Sequence, residues 1–488
     1  MSVNKIRTRI DAIDKKINAL LEERFCLTKE IGFEKFKKQL PVQDLKREAE
    51  ILSKIDGSFQ SEKTAIYRLI FEKSRSLQKF DHFLVGGSLP YTFSPLIYQL
   101  FGLENYALLE TDDFSQTLKY NFKGINITNP HKRAAYQACG RVSEIAKRNQ
   151  AVNLIIREED GLFGDNTDYY GFNALLDYYG FKPKEKKVLI IGRGATAKLV
   201  ALVLKDRGAK KITHLVRNIR STDEVLISDY QKVCDYDLLI NATPYGTYSQ
   251  IELEPLFSLK DFQNLEGAID LIYNPKLTPL IREARKEGIL AADGLYMLVA
   301  QAYRNISYFL GENKVEIQEV YQKLKRYRAN IVLIGMPYSG KSMLGEKLSQ
   351  IFAKDYVDID RKLEAEGKDI QSLLPRGGIE LFRSAEAEMT IEYAKGWNQI
   401  IATGGGIVLN PEAMAHLQNN GLIVFLDVQP KKLASRLDGS RPLIKNVEDL
   451  YHTYHERIDL YRKYADITIQ EEADIRKITE RIYEYFSN

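Results

Sequence analysis

NIVLIGMPYSGKS, residues 330–342, decides how the C-terminal part of the chain folds. Residues 331–334 are aliphatic and read as a buried strand. The run then breaks into a turn fitting GxxxxGK[ST], residues 335–342, and a helical pattern follows. In strand–turn–helix context, the turn's backbone N–H groups and the helix N-terminus cradle phosphates. Gly335 and Gly340 frame the loop, Lys341 reaches the terminal phosphates of ATP, and Ser342 offers a hydroxyl to Mg²⁺. The alternation continues downstream through DYVDID, QIIATGGG and LIVFLD, so residues 328–488 read as one α/β unit. Asp358 and Asp360 lie two positions apart at the end of the second strand, which places both on one face at the edge where α/β sheets bind ligands. Such a pair can hold Mg²⁺ and accept a proton from an alcohol. Gly404, Gly405 and Gly406 follow a further strand and permit close approach of backbone to substrate.

Upstream, KKVLIIGRGATAKLV (residues 186–200) is a second strand, glycine turn and helix. Gly192, Gly194, Ala195 and Ala197 form a GxGxxA dinucleotide fingerprint. The next strand, KITHLV, is followed by Arg217 rather than an acidic residue, and a cation there favours the 2′-phosphate of NADP(H). The fingerprint comes late, so a substrate lobe (81–180, with C-terminal helices) precedes a nucleotide lobe (181–290). In that first lobe GINITNPHK ends in Lys132 and GDNTDYYG carries Asp168. A Lys–Asp pair suits hydride transfer, because the ammonium can protonate a carbonyl oxygen as hydride reaches carbon.

Residues 1–80 carry no alternating strand pattern and read as all-helical. Ile6, Ile10, Ile13, Ile17, Leu20, Arg24, Leu27 and Ile31 recur at alternating steps of four and three, a heptad seam. Arg24 sits in the seam and Lys35 shares its face. Buried cations need partners, and an anionic ligand would supply them. Arg7 lies about 25 Å from Arg24 along one helix, so both reach one small ligand only in an antiparallel dimer.

The chain has 488 residues, 44% hydrophobic and 28% charged, with 70 Lys+Arg against 66 Asp+Glu. That composition indicates a globular multidomain protein and excludes a collagen-like or disulfide-dense chain. A net charge of +4 gives no argument for nucleic acid, and no apolar run reaches the length of a membrane span. Three scattered cysteines and no signal peptide fit a reduced, cytoplasmic protein.

Three resemblances extend this reading. Residues 330–488 resemble shikimate kinase in GMPYSGKS, VDIDRKLE, ELFRSAE, ATGGGIV, SRLDGSRPL and LYRKYA. The resemblance implies Asp358 near Mg²⁺ and Asp360 at the reacting hydroxyl. Arg383, Arg462 and the backbone of residues 404–406 would hold the acid substrate, Arg441 the phosphates, and Arg436 the nucleotide base. Pro337 and Tyr338 replace the family's smaller loop residues and imply altered loop stiffness. Residues 81–325 resemble shikimate dehydrogenase in SLPYTFSPLIY, GINITNPHK, GDNTDYYGF, GRGATA, LLINATPYGT and ADGLYMLVAQA. This implies catalysis by Lys132 and Asp168, with Thr92, Ser94, Asn126, Thr128, Asn153, Tyr273 and Gln301 on the substrate. Thr92 replaces the usual serine, and Asn129 and His131 stand beside the lysine, so shikimate against quinate preference stays open. Residues 1–80 resemble the all-helical chorismate mutases in IRTRIDAID, LLEERF, EIGFEK, PVQDLKRE and FEKSRSLQ. This implies Arg24 of one copy and Arg7 of a second on two carboxylates, Lys35 and Gln78 on the ether oxygen, and Asp44, Arg47, Glu48 and Ser74 around the ring hydroxyl. The expectation is a trifunctional enzyme of aromatic amino-acid biosynthesis, with domains at 1–80, 81–327 and 328–488 and a homodimer through the first. The rival is a bifunctional dehydrogenase–kinase with a non-catalytic helical dimerisation or effector-binding arm.

Overall fold

The N-terminal segment has no proline before Pro41 and forms a single helix, α1 (Val3–Lys37). Gln39 then turns left-handed, with φ of 53°, and Pro41 prevents continuation. The computed structural model describes residues 3–90, 92–247, 255–438, 443–470 and 474–487; Arg441 lies outside them. Helices α2 (Leu45–Ser53) and α3 (Gln60–Leu77) follow, and α3 packs along α1 with the C-terminal ends of the two helices side by side. Gly32 permits that approach, because a Cβ there would lie 2.5 Å from the Gln78 Cα. The apolar residues of the seam from Ile6 to Ile31 stay outside this packing: Ile6 is 46% and Leu20 64% exposed, and α1 buries only Thr28 and Gly32.

The chain divides into two compact units, residues 1–171 with 300–315 and residues 172–299 with 316–488. The first joins the helical segment to the substrate lobe; the second joins the nucleotide lobe to the C-terminal segment. The expected three domains therefore regroup. An aromatic cluster accounts for the first grouping. Phe36, near the end of α1, lies 5.0 Å from the Phe83 ring, 4.8 Å from Tyr120 and 6.1 Å from Phe80. Each such pair contributes about 0.5–1.5 kcal/mol beyond its area burial.

The first unit's sheet contains β1 (His82–Gly86), β2 (Tyr106–Glu110), β3 (Gly124–Ile127), β4 (Arg141–Val142), β5 (Leu154–Glu158) and β6 (Gly161–Asp165), in order β2-β1-β3-β5-β6-β4. Its pairing is parallel around β1 and antiparallel on both sides of β5. The second unit holds two parallel sheets. One comprises β7 (Lys187–Ile191), β8 (Lys211–Val216), β9 (Glu224–Leu226), β10 (Leu238–Asn241), β11 (Gly267–Asp270) and β12 (Leu290–Asp293), in order β12-β11-β10-β7-β8-β9. The other comprises β13 (Asn330–Ile334), β14 (Asp355–Asp358), β15 (Gln399–Ala402), β16 (Gly421–Asp427) and β17 (Ile467–Gln470), in order β14-β15-β13-β16-β17. Strands buried on both faces explain the continuous aliphatic runs VLII and IVLI. The chain turns in opposite directions on either side of β7 and of β13. Each glycine loop thus leaves its sheet at a topological switch point, where open α/β sheets bind ligands.

Gly294, directly after β12, has the Leu271 carbonyl oxygen 2.1 Å from where its Cβ would be. That neighbour is backbone and cannot swing aside. Gly294→Ala should cost about 1–3 kcal/mol or more by overpacking. The expected result is a calorimetric transition lowered by several degrees; an unchanged thermogram would show that the backbone yields.

Candidate active sites

In the first unit, β3 leads through residues 128–131 into the helix Lys132–Ala138, and β6 runs into the helix Asp168–Tyr179. These two starts bring Lys132 Nζ within 2.6 Å of Asp168 Oδ2, both side chains largely buried. Asn153 Nδ2 donates to the other carboxylate oxygen at 2.9 Å. Asn153 Oδ1 in turn accepts from the Thr167 backbone N–H at 2.8 Å. Asn126 is held by Tyr98 and Tyr106, whose hydroxyls donate to its Oδ1 at 2.7 and 2.8 Å. Burial pushes both phenols above their ordinary range, so they remain donors. Asn305 Nδ2 donates to Gln301 Oε1 and to the Tyr98 hydroxyl. Lys132, Asp168, Asn126, Asn153 and Gln301 thus share one polar network, with Asn305 and Tyr98 as members that the sequence reading missed. Thr92 Oγ1 donates to Ser94 Oγ at 3.0 Å, so those hydroxyls form a pair. The Thr128 N–H donates to the Val85 carbonyl at 2.9 Å. The His131 ring turns to other partners: its Nε2 lies 2.7 Å from the Thr111 carbonyl and its ring packs near Phe114.

On α1, Arg24 Nη1 donates to Ser74 Oγ at 2.6 Å. Lys35 donates to the Val42 carbonyl at 2.7 Å, and Gln78 packs against Gly32. Arg24, Ser74 and Gln78 therefore line the α1–α3 contact, and Lys35 reaches the segment between α1 and α2. Asp44 caps α2 through the Arg47 N–H, Arg47 pairs with Glu50, and Glu48 pairs with Arg75 at 2.5 Å. Arg7 is exposed near the start of α1 and does not join Arg24 within one chain.

In the second unit, Gly192 follows β7 with φ of 100°, and a Cβ there would meet the Thr243 methyl at 2.6 Å. Gly194 N-caps the helix Ala195–Asp206 and has open space around it. Ala197 is fully buried against the sheet, and Arg217 is exposed just past β8. This is a bare glycine turn at a helix N-terminus with a cation at the adjoining strand, which fits a phosphorylated dinucleotide. Tyr273 also belongs to this unit; its carbonyl accepts from Arg328 at 2.6 Å.

The phosphate loop follows β13. Lys341 starts the helix Lys341–Phe352, and its ammonium donates to the carbonyls of Gly335 and Met336 at 3.0 and 2.9 Å. Gly335, Tyr338 and Gly340 all have positive φ. Tyr338, at 66°, takes a left-handed conformation usually left to glycine. Its carbonyl accepts from Arg436 at 3.0 Å. Contrary to expectation, Asp358 and Asp360 do not share a strand face. β14 ends at Asp358, which caps the helix Ile359–Ala365, so Asp360 lies in that helix's first turn rather than two positions along a strand. Tyr356 OH donates to Asp358 Oδ2 at 3.0 Å and lies 3.2 Å from the Ser342 carbonyl. Asp358 and Ser342 are thereby linked, and their hard oxygen donors suit Mg²⁺, which usually takes one or two carboxylates plus phosphates.

Asp360 lines a cavity of about 430 Å³ with Arg383, Glu386, Gly404, Gly405, Gly406 and Arg457. Arg383 pairs with Glu386 at 2.5 Å. Burial raises the Glu386 carboxyl above its ordinary range, while Arg383 opposes that rise. Arg457 donates to the Gly405 carbonyl at 3.1 Å, and Tyr461 donates to the same oxygen. Arg462, expected here, is placed elsewhere: its side chain is 57% exposed and lies 3.8 Å from Asp459. The helix Val447–Tyr464 buries Leu450, Tyr454, Arg457, Ile458 and Tyr461. That periodicity turns Arg457 inward and Arg462 outward, and it was available in the sequence.

Three family models match the chain: chorismate mutase type II over residues 6–79, the shikimate dehydrogenase substrate binding domain over 85–155, and shikimate kinase over 337–487. A solved chorismate mutase/shikimate 5-dehydrogenase fusion protein from Clostridium acetobutylicum is similar at 28% identity and a TM-score of 0.48, covering 51% of this chain and 98% of that one. The shikimate dehydrogenase (NADP(+)) of Clostridium botulinum is 36% identical over 221 residues, 43% of this chain and 84% of that enzyme. The Thermoplasma acidophilum enzyme of the same name is 31% identical over 242 residues, 47% of this chain and 89% of that enzyme. Through its central segment the chain belongs to the shikimate dehydrogenase family, with a chorismate mutase type II segment before it and a shikimate kinase segment after it.

Proposed function

We propose that the chain is a trifunctional shikimate-pathway enzyme of the cytoplasm. It reduces 3-dehydroshikimate with NADPH, phosphorylates shikimate with ATP, and rearranges chorismate to prephenate. The observation that carries this reading is the coincidence, in one chain, of three family matches with three separate polar constellations. All three substrates are carboxylate anions, and each constellation presents cations inside a pocket or helix contact.

In the dehydrogenase the bound nicotinamide supplies the hydride. Lys132 delivers a proton to the carbonyl oxygen, while Asp168, steadied by Asn153, fixes the position of the ammonium. Thr92, Ser94, Asn126, Thr128 and Gln301 take the substrate's hydroxyls and carboxylate. Gly192, Gly194, Ala195, Ala197 and Arg217 serve the dinucleotide. In the kinase, Lys341 and the loop amides position the phosphates, Asp360 accepts the proton of the attacking hydroxyl, and Ser342 with Asp358 would hold Mg²⁺. The metal, when bound, neutralises charge on the transferring phosphoryl group. Arg383, Arg457 and the backbone of residues 404–406 would bind the acid; Arg457 replaces Arg462 in this role. In the mutase no acid or base is required. Arg24, Lys35 and Gln78 stabilise a polarised transition state, with Arg7 arriving from a second copy. The exposed apolar seam of α1 supports that homodimer, since an apolar stripe of this length is ordinarily covered.

Chorismate consumption by purified protein tests the whole reading against the non-catalytic arm. Arg24→Ala is expected to lower that rate by about 10²–10³ with the other two activities intact; absence of wild-type turnover would leave only a helical arm. Lys132→Ala should reduce shikimate oxidation by about 10²–10⁴ and spare the kinase, and retained oxidation would remove the lysine from catalysis. Arg457→Ala should raise the kinase KM for shikimate about 10-fold to 100-fold. Arg462→Ala should leave it near wild type, and the reverse pattern would restore Arg462 to the site.

A further inference from the structure

The glycine loop after β7 carries a long cation in a place where the turn itself asks for none. Arg193 stands between Gly192 and Gly194. Its side chain crosses from the loop to the end of the neighbouring strand β8: Nη1 donates to the Asn218 carbonyl at 2.8 Å and lies 3.3 Å from Glu224 Oε2. Asn218 directly follows Arg217. In a doubly wound sheet the pyrophosphate of a dinucleotide sits at the glycine loop, and the ribose 2′ position lies at the end of the next strand. Arg193 therefore starts at the first place and reaches the second.

Glu224 accounts for that direction. It begins β9, and its Oε2 accepts the Arg220 N–H at 2.5 Å. The same oxygen thus fastens the turn after β8 and draws the Arg193 guanidinium toward it. The Arg220 N–H and the Arg193 charge hold the Glu224 carboxyl below its ordinary range, so it is ionised at neutral pH. The Glu224 side chain is only 7% exposed, whereas that of Arg193 is 29% exposed. The carboxylate is covered, and the guanidinium keeps an open side. Both contacts use Nη1. Nε and Nη2 lie outside them, and a planar guanidinium can offer those donors to an oxyanion while its first bonds persist. A phosphate monoester carries about −1.5 to −2 charges at pH 7, which the single exposed cation of Arg217 compensates only in part.

We propose that Arg193 is a second ligand of the cofactor's 2′-phosphate, beside Arg217, and hence a residue that sets the preference for NADP(H) over NAD(H). This assignment rests on the dinucleotide reading of the nucleotide lobe and uses residues of the second unit alone. NAD(H) presents a neutral hydroxyl at the same position and gains little from a second cation. The alternative role is mechanical: Arg193 ties the glycine loop to β8 and serves the pyrophosphate of both cofactors equally.

Binding separates the two roles without reference to catalysis. The full-length chain is titrated with NADPH and with NADH in the absence of substrate, and binding is followed by the fluorescence of the reduced nicotinamide. Arg193→Met keeps the length of the side chain and removes its charge and donors. In that variant the Kd for NADPH should rise about 10-fold to 100-fold, the size of a lost charge-assisted hydrogen bond. The Kd for NADH should stay within about twofold, which also shows that the loop is intact. Equal weakening of both cofactors would identify a loop clamp and overturns the proposal. So does an unchanged Kd for NADPH. If the wild-type chain prefers NADPH and Arg193→Met keeps that preference, only the role of Arg193 falls. If the wild-type chain binds neither cofactor, or binds NADH more tightly, the NADP reading of the lobe falls and the proposal with it.

Discussion

One residue, Ala329, separates the helix Ile317–Arg328 from β13. That lack of slack fixes much of the second unit. Arg328 is buried and committed to Asp293 and the Tyr273 carbonyl, so the start of β13 is pinned to the ends of β11 and β12. Lys354 secures the same junction from the kinase side, donating to the Arg326 and Ala329 carbonyls at 2.8 Å each. β13 is the central strand of its sheet, and the phosphate loop is its direct continuation. Breaking the Arg328–Asp293 pair would strand a charge in a dry interior, a loss of about 3–5 kcal/mol. The geometry of a phosphate site is thus referred, through five residues of strand, to a contact between two sheets.

The cations assigned to substrates are already engaged within the chain. Arg24 donates to a hydroxyl, Lys35 and Lys341 to backbone carbonyls, Lys132 to Asp168 and Arg383 to Glu386. These partners differ in kind. Hydroxyl and carbonyl acceptors leave the positive charge uncompensated and available to a carboxylate or phosphate. The carboxylate partners orient the cation: Asp168 aims the ammonium of Lys132, and Glu386 aims the guanidinium of Arg383. The net charge of +4 conveys none of this, because the relevant charges are arranged singly and inside sites.

Both glycine loops, the Lys132–Asp168 pair and the helical seam were legible in the sequence, because each rests on local spacing within one or two elements. The errors arose where side-chain direction depends on where an element ends. Asp358 and Asp360 straddle a strand–helix boundary, so a strand period did not apply to them. Arg457 and Arg462 share a helix, and only its buried face separates them. Asn305 and Tyr98 hold the substrate-lobe network from far apart in sequence, and no local pattern marks them. The grouping into two units was equally hidden, since it depends on Phe36, Phe80, Phe83 and Tyr120 meeting across a segment border and on Asn419 and Asn420, which look like helix-end polar residues but bond to Asn274, Lys276 and Leu277.

Two of the three unit borders fall inside helices, after Gly171 and after Val299, the third follows Val315, and none lies between catalytic segments. This has a genealogical consequence. A gene fission at residue 328 would free a kinase whose Asn419 and Asn420 have lost their buried partners, and a dehydrogenase whose residues 273–282 are unsupported. Neither product would be a restored ancestor without compensating substitutions. Once such mutual contacts accumulate, fusion becomes easier to keep than to undo, and the order of activities along the chain is preserved by packing even where catalysis places no demand on it.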